Sequence, residues 1–192
     1  MKKFIAASLT AAALFAVPAA AQAQAFVQAE AGVDNVSAGG ESKTGFGYGV
    51  SAGYDLALSG GMFVGVQGTI ADSTTKKCAT FTAAGDKECI EGGRDLAAVV
   101  RLGTTVGGNN KLYVFGGYTN ARLEDVVKGP TVEAATGQYS FKDHADLDGF
   151  RLGAGYEMPF GKNFFAKAEY RYSNYEADFS RHAGVIALGA RF

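Results

Sequence analysis

Tryptophan is absent from this chain of 192 residues, cysteine and histidine occur twice each, and proline three times. Two thiols without a nearby histidine fall short of a zinc set, so no metal is expected. The formal net charge is −1 and no basic patch stands out, so nucleic acid is not an expected partner. No P-loop or zinc-finger spacing occurs, and no cofactor is expected. Beyond the N-terminal segment no apolar run reaches the ~18 residues of a membrane-crossing helix. What the chain does have is 27 glycines, 14 phenylalanines and 9 tyrosines. Glycine disfavours long helices, and glycine and aromatics in short alternation point to an all-β architecture.

The N-terminus reads as an export signal. Lys2 and Lys3 form a positive start, Phe4 to Val17 is apolar apart from Ser8 and Thr10, and Pro18 opens an alanine-rich segment to Ala25. Ala23-Gln24-Ala25 fits a cleavage site, with Ala21-Gln22-Ala23 as the second choice. The expected organisation is therefore a cleaved signal peptide at 1–25 and one domain at 26–192. Removing the two leader lysines leaves 16 basic residues of the original 18, against 19 acidic ones, a net charge of about −3.

After residue 25 the dominant signal is period-two alternation. Phe150, Leu152, Ala154, Tyr156 and Met158 oppose Gly149, Arg151, Gly153, Gly155 and Glu157. Phe164, Ala166, Ala168, Tyr170 and Tyr172 oppose Lys167, Glu169, Arg171 and Ser173. Phe46 to Leu56 and Val185 to Phe192 behave alike, and Val27–Val33, Val64–Ile70 and Leu96–Leu102 alternate less cleanly. Leu112 to Tyr118 is apolar on both faces, which leaves its register open. These are eight strands of roughly 9–12 residues, the length that crosses a bilayer when tilted. Short Gly/Asn turns at 59–61, 107–110 and 159–163 alternate with long polar segments near 35–44, 72–93, 123–147 and 174–181. Short periplasmic turns and long external loops are the pattern of a transmembrane barrel.

A water-soluble, lipocalin-type barrel also has eight up-and-down strands, but it needs an apolar lumen. Here the polar face mixes glycine with charge, which suits a narrow interior, since small residues leave room for a few long charged chains. Aromatics stand near the strand ends of the apolar face: Tyr54, Tyr156 and Phe164 at one boundary, and Phe46, Tyr118, Phe150 and Tyr172 at the other. The stretches 112–119, 150–156, 168–172 and Ile186-Ala187-Leu188-Gly189-Ala190-Arg191-Phe192 resemble the small outer-membrane barrels of the OmpA/OmpX-like and opacity-protein group, often labelled porin-family. The resemblance covers 26–192 and implies an eight-stranded antiparallel up-and-down transmembrane β-barrel in the bacterial outer membrane. It also implies a C-terminal assembly signal in Ile186, Leu188, Ala190 and Phe192, with the barrel-assembly machinery and periplasmic chaperones as partners. The girdles depart from the group in lacking tryptophan, and no peptidoglycan-binding domain is expected after the barrel.

The lumen is expected to hold Gln28, Glu30, Asp55, Gln67, Arg101, Arg151, Glu157, Lys167, Glu169, Arg171 and Arg191. Because an eight-stranded barrel is just wide enough for its side chains to fill, a charged plug is expected rather than an ion pathway. Cys78 and Cys89 share one polar segment, and an oxidising periplasm favours a disulfide between them. Loop residues such as Glu124, Asp125, Lys128, Glu133, Lys142, Asp143, His144 and Asp146 are where a host or surface ligand would bind. A lipid A-modifying enzyme would need a nucleophile, a base and an orienting acid. Ser180-Arg181-His182, with Glu176 or Asp178 nearby, and Ser140 with His144 are the thin material for one. The expectation is a monomeric, non-enzymatic barrel with a structural envelope role, surface recognition being the alternative. The purified protein should require detergent and should migrate faster on a gel unboiled than boiled; a water-soluble monomer would contradict this reading.

Overall fold

A computed structural model describes residues 23–38, 41–80, 85–137, 140–176 and 179–192. Most of the expected leader, residues 1–22, lies outside the described residues, as does Asp178. The strands are β1 (Ala23–Ala38), β2 (Glu41–Ala57), β3 (Met62–Ser73), β4 (Lys76–Thr80), β5 (Lys87–Val106), β6 (Asn110–Lys128), β7 (Ser140–Phe160), β8 (Phe164–Tyr175) and β9 (Phe179–Arg191). One short helix, α1 (Pro130–Thr136), joins β6 to β7. Eight strands close a ring: β1 pairs with β2 and β9, and β3 with β2 and β5, while β5 to β9 pair in sequence, all antiparallel. β4 stands outside the ring and pairs with the outer end of β5. The fold is thus a closed eight-stranded antiparallel barrel.

Residue type sets the face at each position. Val50, Ile70, Leu152, Ile186 and Leu188 are exposed on the outside, Ile186 by 70%, whereas Arg101 is 0% exposed inside. Only a hydrocarbon surrounding makes that inversion stable. All seven aromatics assigned to the boundaries lie on the outer face; Tyr172 is half-buried, packed against Phe150 and His182. The open register of β6 resolves with Leu112, Val114 and Tyr118 outward and Tyr113 and Phe115 inward.

That inward pair explains the glycines. Gly155 lies opposite Tyr113 and Gly153 opposite Phe115 in the β6–β7 register. Each ring lies where a Cβ on its glycine partner would stand. Gly53 accommodates Phe26, Gly189 accommodates Phe165, and at Gly103 a Cβ would stand 2.6 Å from Tyr113 Cβ. The sequence suggested that glycine makes room for long charged chains; the structure shows that it chiefly makes room for inward aromatic rings, an aromatic side chain covering a cross-strand glycine.

The polar segments also differ from expectation. Residues 35–44, 72–93, 123–147 and 174–181 are not mainly loops: most of their described residues continue as strand. The eight ring strands run from 12 residues in β3 and β8 to 21 in β7. Polarity marks where the outer face leaves hydrocarbon, not where backbone pairing stops. The short turns lie at the expected places, with Gly107 and Gly108 at φ 52° and 96°.

Cys78 and Cys89 face each other in the β4–β5 register and are joined by a disulfide. Cys78→Ser with Cys89→Ser should leave the heat-shifted gel mobility intact while amide exchange quickens over 76–91 and stays unchanged over 96–104. Quickening throughout the ring would show that the bond supports the barrel itself.

Candidate functional site

The lumen is the most elaborately built part of the molecule. At its periplasmic end Phe26, Phe63, Tyr113 and Phe165 project inward from β1, β3, β6 and β8, all at most 3% exposed. Arg101 of β5 lies among them, its guanidinium carbon 4.2 Å from the Tyr113 ring centre, 4.8 Å from Phe26 and 5.7 Å from Phe63. Asp55 and Glu157 approach the same guanidinium at 3.5 Å. Among the described residues Arg101 makes no side-chain hydrogen bond, so ring faces and carboxylate charge hold it. Lys111 reaches Asp55 at 3.0 Å, and Arg191 spans Asp55 at 3.2 Å and Glu157 at 2.5 Å.

A second level lies above. Arg171 binds Glu30 through both terminal nitrogens, at 2.5 and 2.9 Å, and also binds Glu169 at 2.5 Å. Lys167 contacts Glu169 at 2.8 Å and donates to Gln67 at 3.1 Å. Tyr113 donates its hydroxyl to Glu169 at 2.6 Å, and Ser51 and Gln28 donate to Glu30. The third level centres on Asp95, held by Arg151 at 2.5 Å and Arg181 at 2.8 Å. Arg181 also reaches Asp34 at 2.6 Å, and Arg151 donates to Ser173. An apolar cap of Ala121, Tyr175 and Phe179, flanked by Val36, Leu123 and Leu147, lies at the outer mouth.

The structure brings all eleven sequence-assigned residues into this interior: Gln28, Glu30, Asp55, Gln67, Arg101, Arg151, Glu157, Lys167, Glu169 and Arg171 are buried, and Arg191 nearly so. The sequence-assigned set lacks Asp34, Lys111 and Arg181, the inward aromatic layer and the apolar cap, and it omits Asp95 although that residue shares the polar side of its strand with Arg101. Strict parity would have found Arg181, which continues the inward row of Val185, Ala187, Gly189 and Arg191 down β9. Among these described residues six carboxylates face seven cations, so the interior is close to neutral. The lumen cavity lined by Glu30, Asp34, Asp95, Arg151, Arg171 and Arg181 measures about 30 Å³, room for one or two waters. Such an arrangement fills the interior of the barrel with side chains.

The family model for the outer membrane protein beta-barrel domain matches residues 7–192. The chain belongs to that family. Its place is the bacterial outer membrane, in contact with outer-membrane lipid. Among solved structures, this family member is similar to Ail, the attachment invasion locus protein of Yersinia pestis, in complex with the heparin analogue sucrose octasulfate. That match has a TM-score of 0.61 and 13% identity over 88% of this chain and 99% of Ail. Neisserial surface protein A is similar at TM-score 0.57 and 16% identity, over 88% and 97% of the two chains. A major outer membrane protein from Thermus thermophilus gives 0.55 and 13%, over 89% and 100%. At these identities the likeness is one of fold. No curated protein matches the chain in sequence.

The surface sites read from sequence separate. His182 lies on the outer face with its Nδ1 2.6 Å from the Tyr170 hydroxyl and its ring 4.9 Å from that of Tyr172, while Arg181 turns inward. Above the girdle Arg122 binds Asp146 at 2.9 and 3.1 Å and holds its carboxyl below the usual range. Asp148 accepts from Tyr118 and Asn120.

Breaking the central level tests the lumen directly. Arg171→Ala leaves Glu30 and Glu169 without their shared cation and should cost about 3–5 kcal/mol in urea unfolding from detergent. Adding Glu30→Gln to that variant should recover part of the loss. A cost under about 1 kcal/mol would show that the ion pairs contribute little.

Proposed function

We propose that the protein is a non-enzymatic structural component of the outer membrane, whose lumen is a self-filled plug rather than a passage. One observation carries this reading: paired charges occupy the interior between an aromatic layer around Arg101 and the apolar cap of Tyr175 and Phe179. Moving an ion along this path would mean separating buried pairs and pushing past both layers, several kcal/mol at each step. His182, engaged by two tyrosines, is poorly placed to serve as a base. An N-terminal export signal and assembly through the C-terminal Ile186, Leu188, Ala190 and Phe192 complete the reading. Ile186, Leu188 and Ala190 lie in one row on β9, which closes the ring against β1, and Phe192 follows its last residue.

A second reading, surface recognition, draws on what stands above the lipid. β7 pairs with β8 only from Gly149 onward, so Ser140–Asp148 and the hairpin ends of β4, β5 and β6 form an open sheet beyond the ring. The disulfide ties its β4 edge to β5. Among the described residues β4 and the outer part of β7 each pair on one side only, and such an edge presents backbone donors and acceptors to a partner chain.

In planar bilayers the purified protein should give no steady conductance across pH 5–8; large, stable currents would overturn the plug. Whole cells carrying a deletion of 77–88 should keep the barrel. Loss of a host-surface binding activity in that variant would favour recognition over the purely structural role.

A further inference from the structure

The sequence offers two bonds for leader removal, Ala23–Gln24 and Ala25–Phe26, and they differ in whether Gln24 and Ala25 survive. Both residues take part in closing the ring. The Ala25 carbonyl accepts the Phe192 N–H at 2.9 Å, at the periplasmic end of the β1–β9 seam. Gln24 Oε1 accepts from Arg191 at 3.2 Å, the same arginine that binds Asp55 and Glu157. On the other side Gln24 and Ala25 register with Asp55 and Tyr54 of β2. Cutting at Ala25–Phe26 removes these partners and leaves the final N–H of the seam unpaired at the membrane boundary.

Charge points the same way. Cutting at Ala25–Phe26 places a protonated α-amine on Phe26, a residue 1% exposed. The Phe26 ring centre already lies 4.8 Å from Arg101, 5.5 Å from Arg191 and 5.6 Å from Lys167. An α-amine on this residue would add a fourth positive charge beside those three. Cutting at Ala23–Gln24 moves the amine two residues along the strand, about 7 Å toward the periplasm. The new terminus then belongs to the register partner of acidic Asp55.

The geometry points to Ala23–Gln24 as the processed bond, so that the mature chain begins at Gln24. A leader endopeptidase adds water across that bond, giving an Ala23 carboxylate and a Gln24 amine that takes up the proton. Small residues at Ala21 and Ala23 are the recognition elements. This inference rests on reading the N-terminal segment as a leader.

Mass spectrometry of the N-terminal peptide, from protein extracted from the outer membrane, tests it. The peptide should begin at Gln24, either free or cyclised with loss of ammonia. A peptide beginning at Phe26 overturns the choice of bond, and a chain still carrying Met1 overturns the leader reading itself. Two precursor variants add an independent check. Ala25→Leu should be processed as before, because that residue lies beyond the cut, whereas Ala21→Leu should accumulate precursor. Accumulation with Ala25→Leu and normal processing with Ala21→Leu would overturn the proposal.

Discussion

A backbone amide left unpaired in hydrocarbon costs several kcal/mol, and a sheet that crosses a bilayer can avoid that cost only by having no edge. From this requirement the rest of the molecule follows. Eight strands joined as β1-β2-β3-β5-β6-β7-β8-β9 and back to β1 satisfy it, and the Phe192–Ala25 hydrogen bond lies at the last rung of the closing seam. Closure at eight strands leaves an interior about as wide as the side chains that line it.

The interior is therefore a packing problem with charges in it. Outward positions must be apolar, so the polar residues of each strand turn inward, where they lose water and must find partners. The three levels of ion pairs solve this by sharing: Arg171 serves Glu30 and Glu169, Arg191 serves Asp55 and Glu157, and Arg181 serves Asp34 and Asp95. Charged side chains alone would not fill the space. Phe26, Tyr113, Phe115 and Phe165 fill it, each lying over a glycine on a neighbouring strand where any Cβ would collide with the ring. Arg101 joins the two solutions, touching carboxylates on one side and rings on the other.

Above the aromatic girdle water relaxes the constraint. Edges are tolerable there, so β4 to β7 continue as a sheet beyond the ring. On the function proposed above, the filled interior leaves the barrel as an anchor, and anything the protein does by contact falls to this upper sheet. Its ion pairs, such as Arg122–Asp146, lie in water and are of the kind that orients side chains more than it stabilises them.

Alternation along the chain was enough to identify eight crossing strands, the short turns and the eleven inward polar residues, because a period of two with one lipid-facing side leaves little freedom of register. The pairing of Cys78 with Cys89 was legible because no other cysteine competes. What the sequence did not yield has a common cause. Whether Tyr113 or Leu112 points inward depends on the glycine across β7, some 40 residues away, and two apolar neighbours look alike until that partner is known. The polar stretches read as loops because polarity reports solvent, whereas pairing reports the neighbouring strand. Sequence by itself determined which side of each alternating strand, β6 apart, meets lipid, since transfer free energy is a property of the residue. Tertiary structure alone decided which inward groups meet one another, since those contacts are set by the closure of a ring that no local window contains.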